Sequence, residues 1–184
     1  MAIPNSAKGI FSCWVEPHAL SGIHHLFSAA NGPLTTTLSF HVQDVNLNDF
    51  TIANGTNEFQ IHTLLADISG AGVPLRKHIL ASWNLTTTQS SIYINDVLNQ
   101  SVVGLHIPPD DVVPWSQFTQ FRVFNSPDGL LPWNGCVSQL YLNTQEFLDF
   151  SIEANRRKFI TTTGTPMDFG PTGALPTGTS PSFY

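Results

Sequence analysis

The 184-residue chain predicts an all-β domain, an antiparallel sandwich of two sheets, and three observations carry that prediction. Before residue 150 apolar residues recur at period two, not at 3.6. The apolar runs are short and are punctuated by turn-forming groups such as Asn31-Gly32-Pro33, Pro108-Pro109 and Pro127-Asp128-Gly129. Only 11% of the residues are charged against 41% hydrophobic, so Thr, Ser, Asn, Gln and His must cover the surface. At this length one domain with one sizeable core is the expectation.

The segments follow in order. Residues 10–16, Ile-Phe-Ser-Cys-Trp-Val-Glu, read as a strand ended by Pro17, and 23–29 lead into the Asn31-Gly32-Pro33 turn. Over 35–43, Leu38, Phe40 and Val42 alternate on one face of a half-buried strand. Further strands are predicted at 49–53, 58–65, 78–84, 90–94, 101–105, 118–124 and 135–142. Within 79–97 a strand carrying Ile79, Ala81 and Trp83 on one face turns at Thr86-Thr87-Thr88, and its partner closes on the tight turn Asn95-Asp96. One short helix is predicted over 151–159, with Ser151 as N-cap, Glu153 in the first turn, and Arg156, Arg157 and Lys158 near the end, where cations suit the dipole. Those three cations read as dipole complement and solvated face rather than as an anion site. The sandwich with its helix is placed at 1–160. Residues 161–184, rich in Thr, Gly and Pro, form an arm whose Met167, Phe169, Leu175, Phe183 and Tyr184 predict docking on the sandwich or on a neighbouring subunit.

Charge and composition exclude some functions. Seven Lys and Arg against 13 Asp and Glu give a net charge of −6, which leaves no basic field for a phosphate backbone, so no nucleic-acid partner is expected. The opening residues show no signal-peptide pattern and no apolar run is long enough to span a bilayer, so a cytoplasmic product without membrane insertion is expected. Cys13 and Cys136 read as buried free thiols. The sequons at Asn54, Asn84 and Asn99 matter only in a eukaryotic secretory pathway.

Three stretches carry a resemblance. The hairpin Ile79-Leu80-Ala81-Ser82-Trp83 … Ile92-Tyr93-Ile94-Asn95-Asp96-Val97, the strand Phe11-Ser12-Cys13-Trp14-Val15, and the stretch Asn134-Gly135-Cys136-Val137-Ser138-Gln139-Leu140-Tyr141-Leu142 resemble those of concanavalin A-like and laminin-G-like jelly rolls. In the turn, Asp96 replaces the Gly usual in that pattern. The run from Phe147 to Ile160, with Pro166-Met167-Asp168-Phe169-Gly170-Pro171-Thr172-Gly173 and Pro176 to Tyr184, resembles the C-terminal region of lectin-like proteins of tailed bacteriophages and prophages. That resemblance implies a virion structural protein, in a tail fibre or decorating the capsid, made in the host bacterial cytoplasm and assembled with other virion proteins, a homotrimer being the natural form.

Two roles remain open for such a component: binding host-surface glycans, or acting purely as a cement or spike protein. A glycan hydrolase is the least supported, and no enzyme is expected. The paired catalytic carboxylates that retaining hydrolysis needs do not occur as an E-x-D-x-x-E strand, and the cluster Glu146, Asp149 and Glu153 is accounted for by capping. No nucleophile elbow and no H-E-x-x-H pair is present, and adjacent His24 and His25 point to opposite faces of a strand. No cofactor is expected; the acidic pair Asp110 and Asp111 is the one calcium candidate, a weak signal because calcium takes about six to eight oxygens. Trp14 and Trp83 are assigned to the core. Trp115 and Trp133, each following a proline in a loop, are the candidate glycan-contacting aromatics, with Asp110 and Asp111 beside them as polar partners.

Overall fold

A computed structural model of the chain describes residues 3–18, 23–31, 36–43, 47–54, 57–62, 76–99, 112–126, 128–130 and 132–184. Among them ten strands form two five-stranded antiparallel sheets. The first is ordered β10 (Gly135–Asn143), β1 (Lys8–Pro17), β6 (Lys77–Asn84), β7 (Gln89–Ile94) and β8 (Val97–Leu98). The second is ordered β5 (Asn57–His62), β4 (Leu47–Asn54), β3 (Thr36–Gln43), β2 (Ile23–Ala30) and β9 (Gln120–Val123). The architecture is the expected two-sheet sandwich. The strand predicted over 101–105 lies outside the described residues.

Period-two patterning decides what lies between the sheets. Phe11, Cys13 and Val15 of β1, Ile79, Ala81 and Trp83 of β6, and Ile92 and Ile94 of β7 share one buried cluster with Phe27 and Phe40 from the second sheet. Phe11 and Phe40 stack across the interface with ring centroids 3.9 Å apart. Gly9 is paired with Trp83, and a Cβ at that position would lie 2.0 Å from the indole Cζ2, so the ring rests on bare backbone.

The 79–97 stretch folds as its pattern requires. Ala81 pairs with Ile92 and Ile79 with Ile94. A 3-10 turn at Leu85–Thr87 followed by Thr88 at φ 54° reverses the chain. At the next turn Asn95 (φ 49°) and Asp96 (φ 69°) are both left-handed, the conformation of a type I′ hairpin. Asn95 is held there because its Oδ1 accepts the His78 N–H at 2.8 Å while its own N–H donates to the His78 carbonyl at 3.0 Å.

The departure from the usual Gly has a partner elsewhere in the chain. Arg156 Nε donates to Asp96 Oδ1 at 2.6 Å and Arg157 Nη2 to Asp96 Oδ2 at 2.5 Å. Arg156 also donates to the Phe150 carbonyl and lies over the Tyr93 ring, 4.7 Å from its centroid. Two of the three cations thus tie the C-terminal region to the hairpin turn, which corrects their reading as a solvated face. The arginines hold the Asp96 carboxyl below the usual carboxylate range, working against its desolvation.

The helix is shorter than expected. Within 151–159 only α1 (Glu153–Arg156) is α-helical, its N-cap is Ile152, and Ser151 does not cap it. Asp149 organises the entry instead: its Oδ1 accepts the Ser151 N–H at 2.9 Å and its carbonyl accepts the Ile152 N–H and Asn155 Nδ2. One helical turn has little stability of its own. The segment is fixed by Phe150 and Phe159 on either side, both fully buried.

The C-terminal arm docks on its own sandwich. Ile10, Leu80, Tyr93 and Tyr141, on the first sheet's outer face, form a second apolar cluster with Phe150, Phe159 and Phe169. Its rings meet edge to face: Tyr141 with Phe159 at 5.3 Å and with Phe169 at 5.4 Å, and Phe159 with Phe169 at 5.5 Å. Further on, Leu142 and Phe183 exchange backbone hydrogen bonds of 3.0 and 3.1 Å along the free edge of β10. This places Phe183 5.4 Å from both Phe27 and Phe121, where it closes the sandwich between β9 and β10.

Candidate functional site

Strand parity builds the site. Residues 10, 12, 14 and 16 of β1 face away from the inter-sheet core, so Trp14 and Glu16 lie on the first sheet's outer face. On β10, Leu142 and Leu140 pack toward the core, and unbroken alternation would send Ser138 and Cys136 inward after them. A bulge intervenes: the β1–β10 register shifts between Ser12 and Trp14, and Gln139 stands at φ 48°. One extra residue reverses the facing of everything beyond it. Val137 therefore packs on the core, while Ser138 and Cys136 come out beside Trp14.

The result is a groove of about 270 Å³ lined by Trp14, Glu16, Arg76, Cys136 and Ser138, with Val15 and Val137 behind them. Arg76, at the entry to β6, lies over the Trp14 ring 5.0 Å from its centroid, and its Nη2 donates to Ser138 Oγ at 2.5 Å. Stacking plus one hydrogen bond orients the guanidinium plane. Beneath it Trp14 stacks on His78, centroids 4.8 Å apart, and His78 Nε2 is hydrogen-bonded to Ser12 Oγ at 2.8 Å. The floor is therefore rigid and the guanidinium is exposed. At the rim His18 Nε2 lies 3.7 Å from Cys136 Sγ.

Several expectations change on this geometry. Trp14 is buried as expected, but on the outer face of the first sheet and not in the inter-sheet core. Cys136 is exposed rather than buried, because of the bulge; Cys13 is fully buried, and burial pushes its thiol pKa up. The Trp115 and Trp133 indoles both belong to the inter-sheet core, 1% and 9% exposed, so neither presents a face to a glycan. The physical reason is local for each. Trp115 sits in a 3-10 turn that is pinned by the Ser6–Val113 bridge and by Ser116 N–H donating to Asn5 Oδ1, which folds its ring onto Phe118 at the end of the sandwich. Trp133 is drawn in by its N–H donating to the Phe124 carbonyl at 2.9 Å. Asp110 and Asp111 lie outside the described residues, as does the 108–111 part of the 108–116 loop.

The acidic cluster near the helix is engaged in structure. Glu146 accepts from Thr179 Oγ1, Asp149 organises the helix entry, and Glu153 pairs with Arg157 at 2.8 Å. Among the described residues no group of three His, Cys, Asp or Glu side chains is placed to hold a metal ion. What the groove offers is an exposed guanidinium, a carboxylate and a hydroxyl over an aromatic floor, a set suited to holding a polar ligand.

No protein-family model matches the chain, and no curated protein matches it in sequence. Solved structures do match in fold. The sialidase carbohydrate-binding module CBM40 of Ruminococcus gnavus, bound to α2,6-sialyllactose, superposes with a TM-score of 0.60 at 11% identity, over 81% of this chain and 91% of the module. The LG4-5 domains of the mouse laminin α1 chain give 0.51 at 11% identity, over 82% of this chain and 41% of theirs. The binding domain of botulinum neurotoxin DC, in complex with SialylT, gives 0.51 at 17% identity, over 79% and 34%. The fold is thus a jelly-roll sandwich of the concanavalin A and laminin-G kind.

Proposed function

We propose that this chain is a non-catalytic, lectin-like domain that binds glycans through the Trp14–Arg76 groove. The observation that carries the reading is the groove itself: a guanidinium fixed on an indole, with a carboxylate and a hydroxyl at hand, in an open cleft on a rigid sheet. Fixed polar groups on a scaffold that does not move are how a small ligand is oriented. The fold neighbours bound to sialyllactose and SialylT support the class of ligand.

The likeness of the C-terminal region to lectin-like phage proteins supports a place on a virion, on a tail fibre or the capsid, and a trimeric assembly rests on the same analogy. The alternative, a cement protein that grips its neighbours with the 161–184 arm, has less support, because Phe169 and Phe183 of that arm are spent on the chain's own sandwich.

A glycan array read with the purified full chain and with Ser138→Trp tests this. The indole would fill the groove without touching the core. Saturable glycan binding is expected for the native chain, weakened by about tenfold or more in the variant, the loss that about 1.4 kcal/mol of contact implies. Equal binding by a folded Ser138→Trp protein would move the site elsewhere.

A further inference from the structure

We propose that the ligand of the groove is an acidic sugar, whose carboxylate is held by Arg76 and whose neighbouring hydroxyls are held by Glu16 and Ser138. The inference rests on the glycan-binding reading and adds the chemical class. It starts from the scarcity of cations in the chain. There are seven Lys and Arg in all, and Arg156 and Arg157 are both committed to Asp96. Arg76 is different: it is exposed, and among the described residues its only hydrogen bond goes to a neutral hydroxyl, with no carboxylate paired to it.

One of its five N–H groups is used on Ser138 and the indole below takes up one face of the plane, which leaves the other N–H groups without a partner among the described residues. A planar fork with two parallel donors matches a carboxylate in a bidentate pair. Glu16 narrows the choice further. A carboxylate lining the same cleft repels a dianion such as a phosphate monoester more than a single carboxylate, and it accepts hydrogen bonds from hydroxyls. One negative charge flanked by hydroxyls describes a uronic or nonulosonic acid residue.

The test is a panel of carboxylated oligosaccharides, α2,6-sialyllactose and oligogalacturonates among them, each with its carboxyl-reduced counterpart and its neutral parent, titrated against the full chain. Arg76→Gln and Arg76→Lys are titrated alongside. Binding confined to carboxylated members is expected, weakened by about tenfold to a hundredfold on carboxyl reduction or in Arg76→Gln, with Arg76→Lys in between because it keeps the charge and loses the fork. Affinity that survives carboxyl reduction, or that is unchanged in Arg76→Gln, overturns the acidic-sugar assignment and leaves glycan binding standing. Binding of neutral or sulfated sugars alone does the same. No binding to any saccharide on the panel or on the array overturns both readings.

Discussion

Phe169→Ala is expected to lower the unfolding free energy by about 3–5 kcal/mol, the range for a fully buried phenylalanine whose site cannot collapse. Phe169 is 0% exposed although it lies in a Thr-, Gly- and Pro-rich stretch that would ordinarily read as a loose tail. Its ring stands edge to face with both Tyr141 and Phe159, and Tyr184 folds back over it at 6.1 Å. Around the ring the arm is tied by Gln139 Nε2 donating to the Met167 carbonyl at 3.0 Å and by Tyr141 Oη hydrogen-bonded to Thr177 Oγ1 at 3.1 Å, and its end is held separately by Phe183 on Leu142. Losing the ring should therefore loosen the arm around residue 169 as well as opening a cavity. Urea unfolding measures the first effect. Limited proteolysis between residues 161 and 184 measures the second, and a variant with native stability and native resistance to cleavage would show that the arm is not part of the fold.

Acid is expected to destabilise the protein through His78 well before the carboxylates titrate. His78 is fully buried, and its pKa falls from the ordinary 6.5 to about 3 because desolvation penalises the imidazolium; the negative charge of Asp96 opposes this only in part. The sign follows from linkage. Between about pH 6.5 and 3 the unfolded chain takes up a proton at His78 that the folded chain does not, so stability is fully present above 6.5 and declines as the pH falls through that window. Between pH 7 and 4.5 the loss from this one group is on the order of 2–3 kcal/mol. Denaturant unfolding at the two pH values should show it. His78→Gln, which keeps a polar group against Ser12 and cannot titrate, should flatten the dependence by that amount. An unchanged pH profile in this variant would mean that His78 is protonated in the native state.

Much of the sandwich is written in local pattern. The hairpin from Ile79 to Val97 is legible because its alternation and both its turns lie within twenty residues, and the observed pairing of Ala81 with Ile92 needs nothing from elsewhere in the chain. The site is not legible in that way. Alternation alone sends Ser138 and Cys136 inward with Leu140, and only the bulge at Gln139, a backbone feature without a Gly or Pro to mark it, turns them out beside Trp14.

Trp115 misleads for the opposite reason. A Pro-flanked tryptophan in a loop has the sequence signature of a displayed aromatic, and the contacts that bury it come from Asn5 and Ser6, more than a hundred residues away. Likewise Asp96 in a turn that favours Gly makes sense only beside Arg156 and Arg157, sixty positions on. A signal did exist for the groove: Ser12, Trp14 and Glu16 share a face by simple parity, and Arg76 enters the strand that pairs with β1.

Cys136 supplies the most direct measurement of the central claim, that the groove beside Trp14 and Arg76 is where a glycan binds. Its thiol is exposed on the groove wall while Cys13 is fully buried, so the native chain should show one thiol open to a reagent such as iodoacetamide. The alkylation rate of Cys136 is to be followed with and without a saccharide that binds the full chain saturably. If the groove is the site, the rate should fall in proportion to occupancy, by about tenfold at ten times Kd, as mass action requires. A saccharide that saturates the protein and leaves that rate unchanged would place the binding site elsewhere on the sandwich.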